Sequence, residues 1–167
     1  MAGILQTKVR ASQAWARPGQ VTKGSHSYYM DADGIVVDDK VRVGCFVKQK
    51  TTSAKDYREV VGASDVAVTS GDKIVGIVII PPFKVGNEMS DTINKGENIK
   101  ICTKGSVAIE AKSTANYGQY VFLKDADGSL VFNDTDTLAS HTFTGWRVTR
   151  PTSTSVTDPE IIEVTSI

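Results

Sequence analysis

GENIKICTKGSVAIEAKSTANYGQYVFLKDADGSLVF, residues Gly96 to Phe132, carries a period of two through two successive reversals. Ile99, Ile101 and Thr103 alternate with Asn98, Lys100 and Cys102. Beyond Lys104-Gly105, Val107, Ile109 and Ala111 alternate with Ser106, Ala108 and Glu110. Such alternation gives each strand one face to bury. Lys104-Gly105 is expected to form a tight hairpin turn, because glycine accepts the positive φ of such turns and its β-branched neighbours favour a pleated surface. Gln119 to Lys124 and Ser129 to Asn133 form a second pair, joined by Asp125-Ala126-Asp127-Gly128, in which the aspartates can hydrogen-bond nearby backbone and glycine supplies the reversal. The stretch predicts a four-stranded meander, and no helical stripe competes with it.

Working outward, Lys73 to Ile80 is the most apolar run. It is short, β-branched and stopped by Pro81-Pro82, which predicts a central strand and not a helix. Ile35 to Val37, Val41 to Lys48, Glu59 to Gly62 and Val66 to Thr69 read as further short strands, and Ser25 to Met30 as extended chain. Asp31-Ala32-Asp33-Gly34 repeats the letters of Asp125 to Gly128 and predicts another turn. Downstream, Thr142 to Thr149 returns to strand after a polar loop. A Ser/Thr/Pro linker follows, and Glu160 to Ile167 closes the chain with Ile162 and Val164 alternating against Glu163 and Thr165. Short strands at this spacing, with turn residues between them, predict an all-β fold: a single barrel-like or sandwich domain of short strands and hairpins. The expected organisation is an extended N-terminal arm over 1–23, a β-barrel-like body over 24–150, and a C-terminal linker and closing strand over 151–167.

The 167 residues suffice for one domain that buries roughly 70% of its unfolded surface without metals or disulfides. Lys plus Arg (19) balances Asp plus Glu (19), so no net field draws the chain to nucleic acid or to anionic lipid. No stretch approaches the ~20 apolar residues of a membrane span, and Met1 to Arg10 lacks the apolar core of a signal peptide, so a soluble protein made in the cytoplasm is expected. Cys45 and Cys102 have neither CxxC spacing nor companion histidines and read as two buried thiols.

Chemistry-bearing motifs are sparse. A hydrolase triad would need a histidine-activated nucleophile, and neither His26 nor His141 sits in a diagnostic context. The second DADG opens like a calcium loop, but its glycine is misplaced and no glutamate stands twelfth, so no metal is expected. Phosphate cradles are absent: Gly71 to Gly76 is not followed by Lys-Ser/Thr. Aromatic and basic residues do not interleave on one predicted sheet face, which leaves an oligonucleotide-binding barrel unsupported. No catalytic residue and no cofactor are predicted. What stands out is Trp15, in an unpatterned terminal segment. A large aromatic ring there is docked either on its own body or on a neighbour.

The order and spacing of several pieces carry a resemblance. They are Ala16-Arg17-Pro18-Gly19-Gln20; Ser27-Tyr28-Tyr29 with Val43-Gly44-Cys45-Phe46-Val47; Gly71-Asp72 and Ile74-Val75-Gly76-Ile77; Lys95-Gly96-Glu97-Asn98-Ile99-Lys100-Ile101 with Lys104-Gly105-Ser106-Val107; and Tyr117-Gly118-Gln119-Tyr120-Val121-Phe122 with Asp127-Gly128. Over roughly Ala16 to Arg150 the chain resembles the tailed-phage structural cement (capsid decoration) proteins. It departs from them after the Pro-Gly segment, where Val21-Thr22-Lys23 replaces a small Asp-containing polar stretch. The resemblance implies a virion protein on the capsid exterior, cementing neighbouring major capsid protein subunits without catalysis. A homo-oligomer, trimer or dimer, goes with it. Trp15, Arg17 and Pro18 are the expected capsid or intersubunit contacts. A phage tail or fibre β-domain for receptor or ligand binding is the alternative.

Overall fold

The computed structural model describes residues 16–22, 30–37, 40–50, 59–69, 72–80, 92–153 and 158–167. These form β1 (Met30–Val36), β2 (Val41–Arg42), β3 (Phe46–Gln49), β4 (Glu59–Gly62), β5 (Ile74–Ile79), β6 (Thr92–Ile93), β7 (Asn98–Lys104), β8 (Ser106–Ala111), β9 (Tyr120–Lys124), β10 (Leu130–Asn133), β11 (His141–Arg150) and β12 (Glu160–Ser166). The fold is all-β. A closed barrel runs in the order β1-β4-β3-β5-β7, and a five-stranded antiparallel sheet in the order β10-β9-β11-β12-β8; β2 and β6 form a small separate pair. Within the barrel only β1 and β4 run parallel.

Strand alternation divides the apolar residues between two cores. On β5, Val78 points into the barrel while Ile77 and Ile79 point toward the sheet; on β3, Val47 goes inward and Phe46 toward the sheet. Val36, Val60, Ile99 and Ile101 also line the barrel interior, with Val41 and Ile93 of the small pair packed against them. The larger core lies between barrel and sheet, where Val107, Ile109, Val121, Leu123, Trp146, Val148, Ile162 and Val164 meet Phe46, Ile77 and Cys102. Phe46 and Trp146 meet edge to face across it, with ring centroids 6.2 Å apart, a favoured aromatic geometry. The expectation of a central strand at Lys73 to Ile80 holds, since β5 lies between β3 and β7. β4, β11, β12 and the β9-β10 hairpin also follow the sequence reading.

Four expectations fail. Val41 to Lys48 is not one strand: the chain turns after Arg42, with Gly44 at positive φ, so that β2 pairs with β6 while β3 joins the barrel. Lys104-Gly105 is not a hairpin turn: β7 pairs with β1 and β5, and β8 pairs with β12. At Gly105 the chain leaves the barrel and enters the sheet, and its N–H donates to Ser166 Oγ at 2.9 Å. The meander therefore dissolves, with β8 and β9 separated by β11 and β12. Asp31-Ala32-Asp33-Gly34 is strand, not turn, because β7 offers it a ladder, Asp33 facing Lys100 and Gly34 facing Ile99. A Cβ at Gly34 would lie 2.8 Å from Ile101 Cδ1, so the residue is small where the barrel interior leaves no room for a side chain. Val66 to Thr69 is irregular. Instead of pairing, this segment ties the barrel to the β9-β10 hairpin: Asp65 N–H donates to the Gly128 carbonyl and Val68 N–H to the Asp125 carbonyl.

Residues 18–22 stitch the two bodies together. Gly19 N–H donates to the Ala108 carbonyl of the sheet at 2.7 Å, while its own carbonyl accepts from Ile80 N–H at the end of β5. Val21 bridges to Val107 as an added edge beside β8. Gly19 and Gly44 make this possible. Both have positive φ, and a Cβ on Gly44 would come within 2.6 Å of Pro18 Cβ.

Candidate interaction surface

The sheet face turned away from the barrel carries an aromatic row. Alternation along β9 sends Val121 and Leu123 into the core and leaves Tyr120, Phe122 and Lys124 on the other side. β11 adds Phe143 opposite Phe122 and Arg147 opposite Tyr120. Two residues on β9 are thus matched by four on β11, an irregularity taken up at Thr144-Gly145, where Thr144 Oγ1 donates to the Val121 carbonyl at 2.7 Å. The rings touch in sequence: Tyr120 to Phe143 at 5.6 Å, Phe143 to Phe122 at 5.4 Å. The Arg147 guanidinium lies 4.4 Å from the Tyr120 ring centroid and donates to the Tyr120 hydroxyl at 2.7 Å. Phe122 is buried, whereas Phe143 is 38% exposed and Arg147 is exposed.

This row corrects the expectation that aromatic and basic residues share no sheet face. The signal within each strand was present, as Tyr120, Phe122 and Lys124 have one parity and Phe143 and Arg147 another. What local sequence could not supply is that β9 and β11 are neighbours.

A concavity of about 300 Å³ opens at the seam between barrel and sheet, lined among others by Pro18, Arg42, Cys45, Asp65, Lys112 and Leu130. Arg42 and Lys112 each approach a different oxygen of Asp65 at 3.4 Å, so β2, the loop after β4 and the end of β8 meet in one exposed charge cluster. Such exposed pairs contribute little to stability, at most about 1 kcal/mol. Cys45 is half-buried and not buried as expected; burial nevertheless pushes its thiol up from its ordinary value, against the opposing pull of the Arg42 cation. Cys102 is fully buried and donates to the Lys104 carbonyl.

Of the residues expected to make contacts, Trp15 lies outside the described residues. Arg17 is exposed and opens a turn in which its N–H donates to Gln20 Oε1 and its carbonyl accepts from Gln20 N–H. Pro18 is half-buried against Gly44 and lines the seam. His26 also lies outside the described residues, and His141 Nδ1 is 2.7 Å from the Ala139 carbonyl. The Asp127 carboxylate accepts from Ser129 N–H and Oγ, as a hairpin turn requires. Among the described residues no group of three or more His, Cys, Asp and Glu gathers as a metal site would need.

A closed barrel stacked on a five-stranded sheet, with arginine and aromatic rings on the sheet's free face, defines an all-β module of two packed bodies. The family described as Structural cement protein (E217 gp24/Pam3 gp6) matches residues 5–166, and the chain belongs to it. That membership makes it a structural protein of a phage capsid. Among solved structures, a chain of "The capsid of Myoviridae Phage XM1" has the same fold, with a TM-score of 0.59 and 13% identity over 97% of this chain and 96% of that one. No curated protein matches the sequence.

Proposed function

We propose that the chain binds the outside of a phage head and cements neighbouring major capsid protein subunits, stabilising the shell through contact and without catalysis. The observation that carries this reading is the family match over residues 5–166, which takes in nearly the whole chain and not a fragment. A cement protein strengthens a shell by adding interface between subunits, and many copies at symmetry-related positions multiply a modest contact into a stable particle. Self-association as a dimer or trimer would let one assembly engage several subunits together. The N-terminal arm adds contact area without a larger body, with Trp15, Arg17 and Pro18 as its proposed contacts.

Heads of its phage, assembled without this chain, provide the test. Purified protein should bind them at a fixed copy number, appear on the outer surface by cryo-electron microscopy, and raise the temperature at which they release DNA. Bound protein that leaves that temperature unchanged would remove the cementing role, and absence of binding would remove the whole reading. Trp15→Ala should weaken binding at least tenfold while leaving the isolated protein's melting temperature unchanged, as expected for an aromatic hot spot.

A further inference from the structure

We infer that the aromatic row of Tyr120, Phe122 and Phe143, capped by Arg147, is the surface on which this protein docks an acidic segment of the capsid protein. The inference rests on the cementing function proposed above and assigns a face to it.

Two independent features single out this face. Phe143 is one of few large apolar side chains exposed among the described residues, and it is not isolated, since its ring leans on both Tyr120 and Phe122. A ring held by two others loses little conformational freedom on binding, and interface cores are enriched in Tyr, Phe and Arg. The second feature is charge. Arg147 is held by a ring face and a hydroxyl, and among the described residues no carboxylate pairs with it. Lys124 at the far end of β9 is already 3.6 Å from Asp127, so among the described residues Arg147 is the cation of the row that no carboxylate compensates. A guanidinium pinned over a ring still presents free N–H donors in a fixed plane, suited to a carboxylate. With 19 basic and 19 acidic residues overall, a single arginine in an apolar setting fits an acidic protein segment and not a polyanion.

Arg147→Glu and Phe143→Ser are the test variants, because both side chains are exposed and neither fills a core. Each is titrated against heads assembled without this protein, with melting temperature and sedimentation measured on the free protein. Parent protein should bind, each variant should bind at least tenfold more weakly, and each variant, though its melting temperature falls by a few degrees through the lost ring contacts, should remain fully folded at the titration temperature and sediment as the parent does. Parent-like binding by both variants would overturn the docking face while leaving the cementing function standing. Variants that sediment as a smaller species would also overturn it, since the row would then be occupied by a second copy. A parent that fails to bind heads would instead remove the cementing function itself.

Discussion

Lys48 shows how a single polar contact is sited where strand pairing cannot reach. Its ammonium donates to Asp72 Oδ2 at 2.6 Å and to the Ala67 carbonyl, and Asp72 accepts in turn from Thr69 N–H, so the irregular chain after β4 is pinned to β3. Both side chains are largely buried. Burial alone would raise the Asp72 carboxyl, but the hydrogen bonds from Lys48 and Thr69 outweigh it and hold the group below its ordinary value. A carboxylate titrating lower when folded stabilises fully above its unfolded value of about 3.9, and that contribution is lost as pH falls through the folded value. Asp72→Asn should therefore cost about 2 kcal/mol at neutral pH, with the gap to the parent closing below roughly pH 4. Urea midpoints at pH 7, 5 and 3 check this, and a gap independent of pH would show that the charge plays no part.

Among the elements, the strands were legible wherever period two was unbroken, and of their pairing only the local β9-β10 hairpin was. Ile99, Ile101, Val107 and Ile109 all face inward as the alternation says, yet the first two line the barrel and the last two the core beneath the sheet. Nothing within six residues of Gly105 separates a hairpin from a change of sheet, because the deciding partners are β1, some seventy residues upstream, and β12, some fifty-five downstream. The two DADG segments make the same point: identical letters become strand beside β7 and turn between β9 and β10. The contact surface was hidden for the same reason, since it exists only once β9 lies against β11. Ile101→Ala and Ile109→Ala, each in a different core, should both cost about 2 to 5 kcal/mol. Denaturation followed by tryptophan fluorescence and by circular dichroism should give one coincident transition for each, because Phe46, Ile77 and Cys102 bring barrel strands into the core under the sheet. Separated transitions would mean that barrel and sheet unfold independently.

At the scale of the whole molecule, stability depends on chain ends that meet elements far away in sequence. Residues 18–22 join β8 to the end of β5, and β12 lies between β11 and β8. Removing residues 160–167 should abolish cooperative folding, whereas a merely appended strand could be deleted at small cost; thermal melts of the truncated protein distinguish the two. The placement of β12 also sets a clock. On a ribosome, β8 and β11 emerge with a gap between them that only β12 fills, and long-range pairing of this kind is slow, in the range of milliseconds to seconds. The strand bearing Phe143 and Arg147 stays half-supported until β12 has been made and has paired with it. The aromatic row therefore reaches its final support only after a strand that follows it in sequence has folded back beside it.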